Sequence, residues 1–203
     1  MPHYNEQFLL DNFIISRETI KALKLYEQLV LKWNNKINLI SASTISDFWN
    51  RHVVDSIQLL KYIEDLNYVL VDVGSGAGFP GLVLSICGVK NILLVESDSK
   101  KCAFLLQAAK FSNNDVNIIN NRVENLDIIG NILVSRAWIN LEEVFYKTQQ
   151  LKINNKYLLL KGKDYQKEIQ KAQQNWRFKC IVHDSITSTE GKILEISNIE
   201  RIK

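Results

Sequence analysis

The sequence predicts an α/β protein in which a mostly parallel, doubly wound sheet ends in an antiparallel C-terminal edge. After Asn67, short apolar runs alternate with helical patterns, which is typical of parallel strands joined by helices. The last two apolar runs flank Glu190-Gly191 and predict two antiparallel strands joined by a turn. We therefore expect an N-terminal helical extension over residues 1–66 and a sheet domain over residues 67–203.

The helices of the extension are predicted from the spacing of apolar residues. Between Ser16 and Asn38 these residues recur at intervals of three and four and form one helix face. Trp33 continues this face and is predicted to lie in the core rather than to stack on a base. Asn34 and Asn38 either face a site or cap the helix end. A second helix is expected over residues 46–63.

Seven apolar runs predict the strands of the sheet. The parallel strands are expected at residues 68–73, 91–96, 116–120, 131–137 and 156–162, and the edge strands at residues 178–186 and 191–199. Because the carboxyl ends of parallel strands meet at one edge of a sheet, the residues that end these strands are expected to lie close together.

Composition narrows the class of protein. Of the 203 residues, 46% are hydrophobic, which is enough for a sizeable core. No run of about 18 apolar residues occurs, and the first residues lack the layout of a secretory signal. We therefore expect a cytoplasmic protein without membrane contact. The three cysteines, Cys87, Cys102 and Cys180, are widely spaced, which favours free thiols over disulfides and predicts no metal site.

Charge is distributed unevenly along the chain. The net charge is +3, but residues 1–146 hold 13 basic and 16 acidic side chains, whereas residues 147–203 hold 12 basic and 6 acidic ones. A basic C-terminal quarter suits contact with nucleic-acid phosphates. A protein encoded by an AT-biased genome is often rich in lysines that are simply solvated. Charge alone therefore does not decide whether this region contacts nucleic acid.

The segment VDVGSGAGFPG, residues 71–81, predicts a ligand-binding loop between the first strand and a helix. Glycines let the backbone approach a ligand, and a helix start offers unpaired N–H groups. The last three glycines match the G-x-G-x-x-G pattern of dinucleotide sites, but they lie too far from the strand end for a good register. Asp72 is expected to point at the mouth of the site. There a carboxylate suits a ligand with cationic ammonium and sulfonium groups better than a pyrophosphate.

Glu96 ends the second strand, where it could accept hydrogen bonds from both hydroxyls of a ribose. An Asp-x-Gly-x-Gly-x-Gly loop followed by such a residue resembles the Rossmann-like class I methyltransferases that use S-adenosylmethionine. Nicotinamide enzymes use the same acidic residue, and a solvated strand end would also explain it. Glu96 alone therefore does not decide between the cofactors.

Several segments in order narrow the resemblance to one family. DVGSGAGFPG is followed by ESDSKKCAFL (96–105), NRVEN (121–125) and SRAW (135–138), and is preceded by KWNNKINLIS (32–41) and RHVVDSIQLL (51–60). Together they resemble the bacterial ribosomal RNA small subunit methyltransferase G family, from about residue 24 to Gly162. Lys101 and Trp138 depart from the family pattern, and the C-terminal tail has no matching segment.

The resemblance implies an enzyme that transfers a methyl group from S-adenosyl-L-methionine to N7 of one guanine in 16S ribosomal RNA. The implied partner is that RNA or the small ribosomal subunit particle, and we expect a monomer. One alternative is a methyltransferase of the same fold that acts on a protein or a small molecule. The other is a nicotinamide-binding oxidoreductase, which would bind a nicotinamide nucleotide instead.

The resemblance also implies the cofactor contacts other than Glu96, which is predicted because it ends the second strand. The predicted cofactor-binding residues are Gly74, Phe79, Glu96, Val123, Glu124 and Arg136. A cation at Arg136 is unfavourable beside a sulfonium unless it faces the carboxylate of the cofactor or an RNA phosphate. The alternative for Arg136 is a salt bridge with Asp72 or Glu142.

Methylation of guanine N7 requires little proton transfer. N7 is unprotonated at neutral pH, so the main tasks are positioning and the removal of water. A nearby carboxylate would stabilise the cationic product, and Asp55 is the candidate. His52 and Asp55 are three residues apart on one helix face, with Arg51 and Ser56 adjacent. This polar group either closes over the cofactor site as part of the catalytic machinery or forms a buried capping network.

Three basic residues are predicted to contact the RNA. Arg51 belongs to the polar group beside Asp55, and Lys100, or its neighbour Lys101, begins the helix after the second strand. Lys161 ends a strand at the ligand-binding edge of the sheet. A solvated lysine is the alternative for Lys161.

Overall fold

The structure, a computed structural model, describes residues 6–202. Two parts of the chain lie outside it: residues 1–5, at the start of the predicted extension, and residue 203, at the end of the predicted sheet domain. The extension begins with helices α1 (Glu6–Asn12) and α2 (Arg17–Asn34). Within residues 6–202, no helix is long and apolar enough to cross a membrane.

Helix α2 buries the predicted apolar face against the sheet domain. Its first turn is capped by Ser16, whose hydroxyl accepts a hydrogen bond from the Thr19 amide. The helix ends before the predicted Asn38, because the Asn34 side chain accepts hydrogen bonds from two later backbone amides and closes the next loop. Trp33 is half-buried and packs edge-to-face on Phe104, as expected of a core residue.

The second predicted helix of the extension is irregular. It consists of a 3-10 turn (Ala42–Asp47), a π-helical turn (Trp49–Val54), the short helix α3 (Asp55–Ile57) and a further 3-10 turn (Gln58–Tyr62). π-helical turns are rare and occur frequently at functional sites, because the extra residue per turn changes the direction of side chains. This turn contains His52 and leads directly into Asp55.

The sheet has seven strands, and every predicted strand is present. They are β1 (Val69–Val73), β2 (Asn91–Glu96), β3 (Asp115–Asn120), β4 (Ile129–Arg136), β5 (Lys152–Lys161), β6 (Trp176–Asp184) and β7 (Lys192–Arg201). Their order is β3-β2-β1-β4-β5-β7-β6. Strands β1 to β5 pair in parallel, while β7 pairs antiparallel with both β5 and β6. The predicted mostly parallel sheet with an antiparallel C-terminal edge is therefore confirmed.

Helices cover both faces of the sheet. They are α4 (Gly81–Ile86), α5 (Ser99–Ala108), α6 (Leu141–Thr148) and α7 (Tyr165–Ala172). One hydrophobic cluster joins the extension, α4 and α5 to one face, and a second joins α6 and α7 to the other. The extension and the sheet domain thus share one of the two cores.

The cysteines are free thiols. Cys87 and Cys102 are buried, and Cys180 is half-buried on the edge strand β6. Burial raises the pKa of the Cys87 thiol to about 12, so this group stays protonated and unreactive at neutral pH.

Gly81 provides a test of how α4 packs on the sheet. A Cβ atom at Gly81 would lie 2.7 Å from the Asp72 Cβ atom and 2.7 Å from a methyl carbon of Leu94. Gly81→Ala is therefore expected to lower the free energy of unfolding by about 1–3 kcal/mol in urea denaturation. At Gly162 an added Cβ would meet nothing within 4 Å, so Gly162→Ala should leave stability unchanged or raise it slightly. Equal losses in the two variants would contradict the close packing of α4 on β1.

Candidate active site

A cleft of about 480 Å³ lies at the carboxyl ends of β1, β2 and β4. In the sheet, β2 and β3 lie on one side of β1, and β4 and β5 lie on the other. Open α/β sheets bind ligands at such a point, where the order of the strands reverses. The volume falls in the range of about 300–1,000 Å³ that is usual for small-molecule sites. All six predicted cofactor residues line this first cleft: Gly74, Phe79, Glu96, Val123, Glu124 and Arg136.

The loop after β1 is held in a conformation that requires glycine at Gly74. This residue has φ +68°, and its amide donates a hydrogen bond to the carbonyl of Val95 at 3.0 Å. A Cβ atom there would overlap the indole of Trp138. Trp138 therefore forms a wall of the first cleft directly over the loop.

Glu96 joins this loop to the end of β2. Its carboxylate accepts hydrogen bonds from the amides of Gly76 at 2.9 Å and Asp98 at 2.8 Å. The residue is buried, yet it lines the first cleft. Since each carboxylate oxygen has two lone pairs, Glu96 can also accept hydrogen bonds from a ligand.

Tyr26, on α2 of the extension, supports the loop from the core side. It is fully buried, and its hydroxyl donates a hydrogen bond to the carbonyl of Ala77. Its ring lies 5.5 Å from that of Phe79, centroid to centroid. Burial raises the pKa of Tyr26 well above its usual value, so the hydroxyl remains a donor.

Asp72 does not point at the mouth of the site, and that expectation is wrong. Its side chain is fully buried and points towards α4, where Oδ2 accepts a hydrogen bond from the Gly81 amide of the first turn at 3.0 Å. The other oxygen, Oδ1, has no hydrogen-bond partner among the described residues. Burial raises the pKa of Asp72 to about 7. Asp72 thus fixes α4 to β1 and does not present a charge to the first cleft.

Arg136, at the end of β4, contacts three residues of the predicted polar group, Arg51, His52 and Asp55. Its guanidinium donates hydrogen bonds to the Arg51 carbonyl at 2.7 Å and to Nδ1 of His52 at 2.9 Å. The guanidinium carbon lies 5.0 Å from the centroid of the Phe79 ring, and the His52 ring stacks on the same ring at 4.8 Å. These contacts bring the extension, the loop after β1 and the end of β4 together.

The hydrogen bonds of His52 define its protonation state. Arginine is only a donor, so Nδ1 of His52 accepts and its proton lies on Nε2, which contacts the Thr44 hydroxyl at 2.9 Å. Burial, with the positive charges of Arg136 and Arg51, lowers the pKa of His52 to about 3. His52 is therefore neutral at physiological pH.

The ion-pair partner of Arg136 differs from both predicted alternatives. Its Nη1 atom lies 3.9 Å from Oδ2 of Asp55. Asp72 accepts its hydrogen bond from the Gly81 amide of α4 instead, and Glu142 pairs with Lys171 at 3.3 Å.

The alternative of a capping network is also not found within residues 6–202, since α3 begins without a side-chain cap and the His52 ring bonds to Thr44 and Arg136. Of the groups of His52, Asp55 and Ser56 bond only to the backbone carbonyl, through the Asp55 amide and the Ser56 hydroxyl.

Asp55 lines a second cleft, of about 280 Å³, which adjoins the first. Arg136 and Ala137 belong to the walls of both clefts. Ala137 has φ +50°, which is uncommon for a residue other than glycine and marks a sharp end to β4. Burial raises the pKa of Asp55, while hydrogen bonds from Thr187 and the charge of Arg136 oppose that shift.

The predicted basic residues do not all line the same cleft. Arg51 and Lys161 line the second cleft, whereas Lys100 is exposed on α5 and lines neither cleft. Lys101, the other candidate on α5, lines the first cleft. Lys161 is not solvated, because its ammonium donates hydrogen bonds to Glu168 at 2.8 Å and to a backbone carbonyl at 2.6 Å.

Four residues of the site carry no signal in the sequence. Tyr26 looks like any core residue of α2, and Thr187 and Gln58 look like ordinary polar positions far apart in the chain. Lys163 is one lysine of a lysine-rich region.

The neutral state of His52 gives a pH dependence. A histidine with a folded-state pKa of about 3 and an ordinary value of 6.5 stabilises the fold above pH 6.5, and that stability is lost as the pH falls. Between pH 7.5 and pH 5, His52 should cost the protein about 2 kcal/mol of stability. The difference in unfolding free energy between the unaltered protein and His52→Gln should shrink by this amount over that interval. An NMR titration that shows His52 protonating between pH 5 and pH 8 would contradict the assignment.

Comparisons with known proteins show the family and the fold of the chain. The model of the family described as rRNA small subunit methyltransferase G matches residues 19–197. A protein named ribosomal RNA small subunit methyltransferase G, from Rickettsia bellii (strain OSU 85-389), is 50% identical over 188 residues. These residues are 93% of this chain and 98% of the relative.

Solved structures show the same fold. The DhpI–SAH complex has a TM-score of 0.58 at 9% identity, over 90% of this chain and 98% of that one. The magnesium protoporphyrin IX methyltransferase of Synechocystis PCC 6803, with bound SAM, has a TM-score of 0.55 at 12% identity, over 84% and 96% of the two chains. The fold is therefore that of the class I S-adenosylmethionine-dependent methyltransferases. With the family match over most of its length, the chain belongs to the rRNA small subunit methyltransferase G family.

Proposed function

We propose that the protein transfers a methyl group from S-adenosyl-L-methionine to N7 of one guanine in 16S ribosomal RNA. The family match over residues 19–197 carries the proposal. Two adjoining clefts support it, because a methyl donor and the base that receives the methyl group must lie side by side. The match favours this function over a protein or small-molecule methyltransferase and over a nicotinamide-binding oxidoreductase.

The residues of the first cleft fit the cofactor. Glu96 offers carboxylate oxygens to the ribose hydroxyls, and Val123 and Phe79 supply apolar surface. Glu124 pairs with Lys147 at 2.5 Å, and both line the cleft on the side of Val123, where we place the adenine. Arg136 is assigned to the carboxylate of the methionine part or to an RNA phosphate.

The reaction needs an electrophilic methyl group and an in-plane lone pair. When bound, S-adenosylmethionine supplies the methyl group: the N7 lone pair forms the new bond to carbon while the carbon–sulfur bond breaks and its electron pair returns to sulfur. N7 carries no proton, so no general base is required. The positive charge moves from sulfur to the purine, and we assign Asp55 the role of stabilising it.

His52 is assigned a positioning role. At neutral pH it is uncharged, and both of its ring nitrogens are already engaged by Arg136 and Thr44. By stacking on Phe79 it fixes one wall of the first cleft. Such fixed walls hold the reactants in line and exclude water, which is the main contribution that this reaction asks of the protein.

The RNA partner is assigned to the side of the molecule that holds the second cleft. Arg51 and Lys161 line that cleft, Lys101 lines the first cleft, and Lys100 precedes Lys101 on α5. We infer that Arg51, Lys100 and Lys101 contact phosphates directly, whereas Lys161 would first have to leave Glu168. We further propose that the protein acts as a monomer, in the cytoplasm and without membrane contact.

The proposed function is tested by offering the purified protein S-adenosylmethionine labelled in its methyl group, together with hypomethylated small ribosomal subunits or naked 16S RNA. Nuclease digestion and chromatography should recover the label as 7-methylguanosine from a single position. Calorimetry with S-adenosylmethionine and with NAD measures cofactor choice separately. Binding of S-adenosylmethionine without label in either RNA would remove the substrate assignment, and binding of NAD alone would remove the cofactor assignment as well.

Glu96→Ala tests the assigned ribose contact. The change removes a charged acceptor and releases the amides of Gly76 and Asp98, so the affinity for S-adenosylmethionine should fall about 10- to 100-fold in calorimetry. Glu143→Ala is the control, since Glu143 is exposed on α6 and lines neither cleft. An unchanged affinity in Glu96→Ala would contradict the contact.

Tyr26→Phe tests whether the extension holds the cofactor loop. Loss of its hydroxyl leaves the buried Ala77 carbonyl without this donor, and we expect about a fivefold loss of cofactor affinity. Tyr157→Phe is a matched control, because that buried hydroxyl bonds to Thr148 at 3.0 Å in the other core. Tyr157→Phe should lower stability but leave cofactor affinity unchanged. If both variants bind the cofactor like the unaltered protein, Tyr26 has no role in the loop.

A further inference from the structure

The second cleft has the position and size of a subsite for one base. It shares Arg136 and Ala137 with the first cleft, so a group within it would adjoin the assigned cofactor. Its volume of about 280 Å³ lies just below the range of about 300–1,000 Å³ for complete small-molecule ligands. The cleft therefore suits a single flat ring system better than a whole nucleotide cofactor.

Asp55 presents one free acceptor to this cleft. Its Oδ1 atom accepts hydrogen bonds from the Thr187 hydroxyl at 2.6 Å and the Gln58 amide at 2.8 Å. Its Oδ2 atom accepts none from residues 6–202 and lies 3.9 Å from Arg136, which is too far for a hydrogen bond. Two fixed partners on one oxygen hold the carboxylate still while the other oxygen remains available.

This acceptor is complementary to guanine and not to adenine. The Watson–Crick edge of guanine carries two kinds of donor, N1–H and the N2 amino group, beside the O6 acceptor. Adenine also has a donor on this edge, its N6 amino group, but N6 takes the place of O6. An adenine in the orientation of guanine would therefore bring its unprotonated N1 against the carboxylate and its N6 amino group against Arg136. A carboxylate in a site that excludes water rejects a base without the matching donors. Enzymes that act on an extruded base read this same edge.

The order of groups along the walls also matches guanine. From the first cleft, the groups met in turn are Arg136, which belongs to both walls, and then Asp55, which belongs to the second cleft alone. Around the guanine ring the corresponding order is N7, the O6 acceptor and N1–H. A guanine with N7 at the first cleft would thus place O6 near a cation and N1–H near a carboxylate.

Two cations flank the second cleft without ion-pair partners among the described residues. The side chains of Arg51 and Lys163 are both exposed, and both line the cleft. Other lysines nearby are paired, as Lys161 is with Glu168. Arg51 and Lys163 are therefore available for the phosphates on either side of an inserted nucleotide.

We propose that the second cleft is the subsite for the guanine that is methylated, with Asp55 selecting guanine through N1–H and the N2 amino group and Arg136 donating to O6. Arg136 uses one N–H group each for Arg51 and His52, so its other N–H groups can serve both O6 and the anion assigned to it above. The proposal rests on the proposed function, since it assigns the base that the methyl group reaches. It gives Asp55 a specificity role in addition to charge stabilisation, and it gives Thr187 and Gln58 the role of positioning Asp55.

The test measures binding of free nucleotides, so that it does not depend on methyl transfer. Guanosine, inosine and adenosine 5′-monophosphates are titrated into the full-length protein with S-adenosylhomocysteine present, using saturation-transfer NMR. The unaltered protein should bind the guanosine nucleotide about tenfold more tightly than the adenosine nucleotide. The inosine nucleotide, which lacks the N2 amino group, should fall between them.

Asp55→Asn should reduce the preference for guanosine over adenosine nucleotide to less than about threefold. Glu143→Gln is the matched control: it removes an equal charge from an exposed residue that lines neither cleft and should keep the preference. Cofactor affinity within about twofold of the unaltered protein shows that a variant is folded. If Asp55→Asn does not fold, the ranking of the three nucleotides by the unaltered protein decides.

The two proposals can fail separately. Equal binding of guanosine and adenosine nucleotides, no binding of either, or the same loss of preference in Glu143→Gln as in Asp55→Asn would overturn the guanine subsite. Selective, Asp55-dependent binding without label in 16S RNA would leave the guanine subsite in place and remove the proposed RNA substrate.

Discussion

The half-buried guanidinium of Arg136 is the constraint on which the arrangement of both clefts depends. Burial disfavours its charged form, but arginine cannot lose its proton under ordinary conditions, so the surrounding residues must satisfy the charge. The fold meets this requirement with a backbone carbonyl, a neutral imidazole, an aromatic face and a carboxylate. The carbonyl, the imidazole and the carboxylate all belong to residues 51–55 of the extension. Satisfying one arginine therefore holds the extension against the carboxyl edge of the sheet.

The extension is accordingly part of the site and not an appendage to it. Tyr26 bonds to the loop after β1, and Gln58 accepts a hydrogen bond from the backbone amide of Ile186 at 3.0 Å. Asp55 bonds to Thr187 in the same C-terminal loop. Contacts from a single N-terminal segment thus reach the loop that precedes α4 and the loop that precedes β7. Both clefts take their shape from pairings between distant parts of the chain.

The sheet could be predicted from the sequence, because strand positions depend on local apolar runs. The predicted strand at residues 91–96 is found at those residues, and the first cleft follows from where β1, β2 and β4 end. The direction of Asp72 could not be predicted, since it depends on the close approach of α4 that Gly81 permits. The partner of Arg136 depends on a π-helical turn that no periodicity signals. The role of Thr187 depends on a contact across 132 residues.

Arg136 lies in the wall that separates the two clefts, and this position has a thermodynamic consequence. A ligand that moves the guanidinium from its present contacts on one side would change the free energy of binding on the other. By linkage the effect is reciprocal: the factor by which an occupant of the first cleft changes affinity in the second equals the factor in the opposite direction. The shared wall would therefore couple the two binding events as far as an occupant of one cleft moves Arg136 or takes up one of its N–H groups.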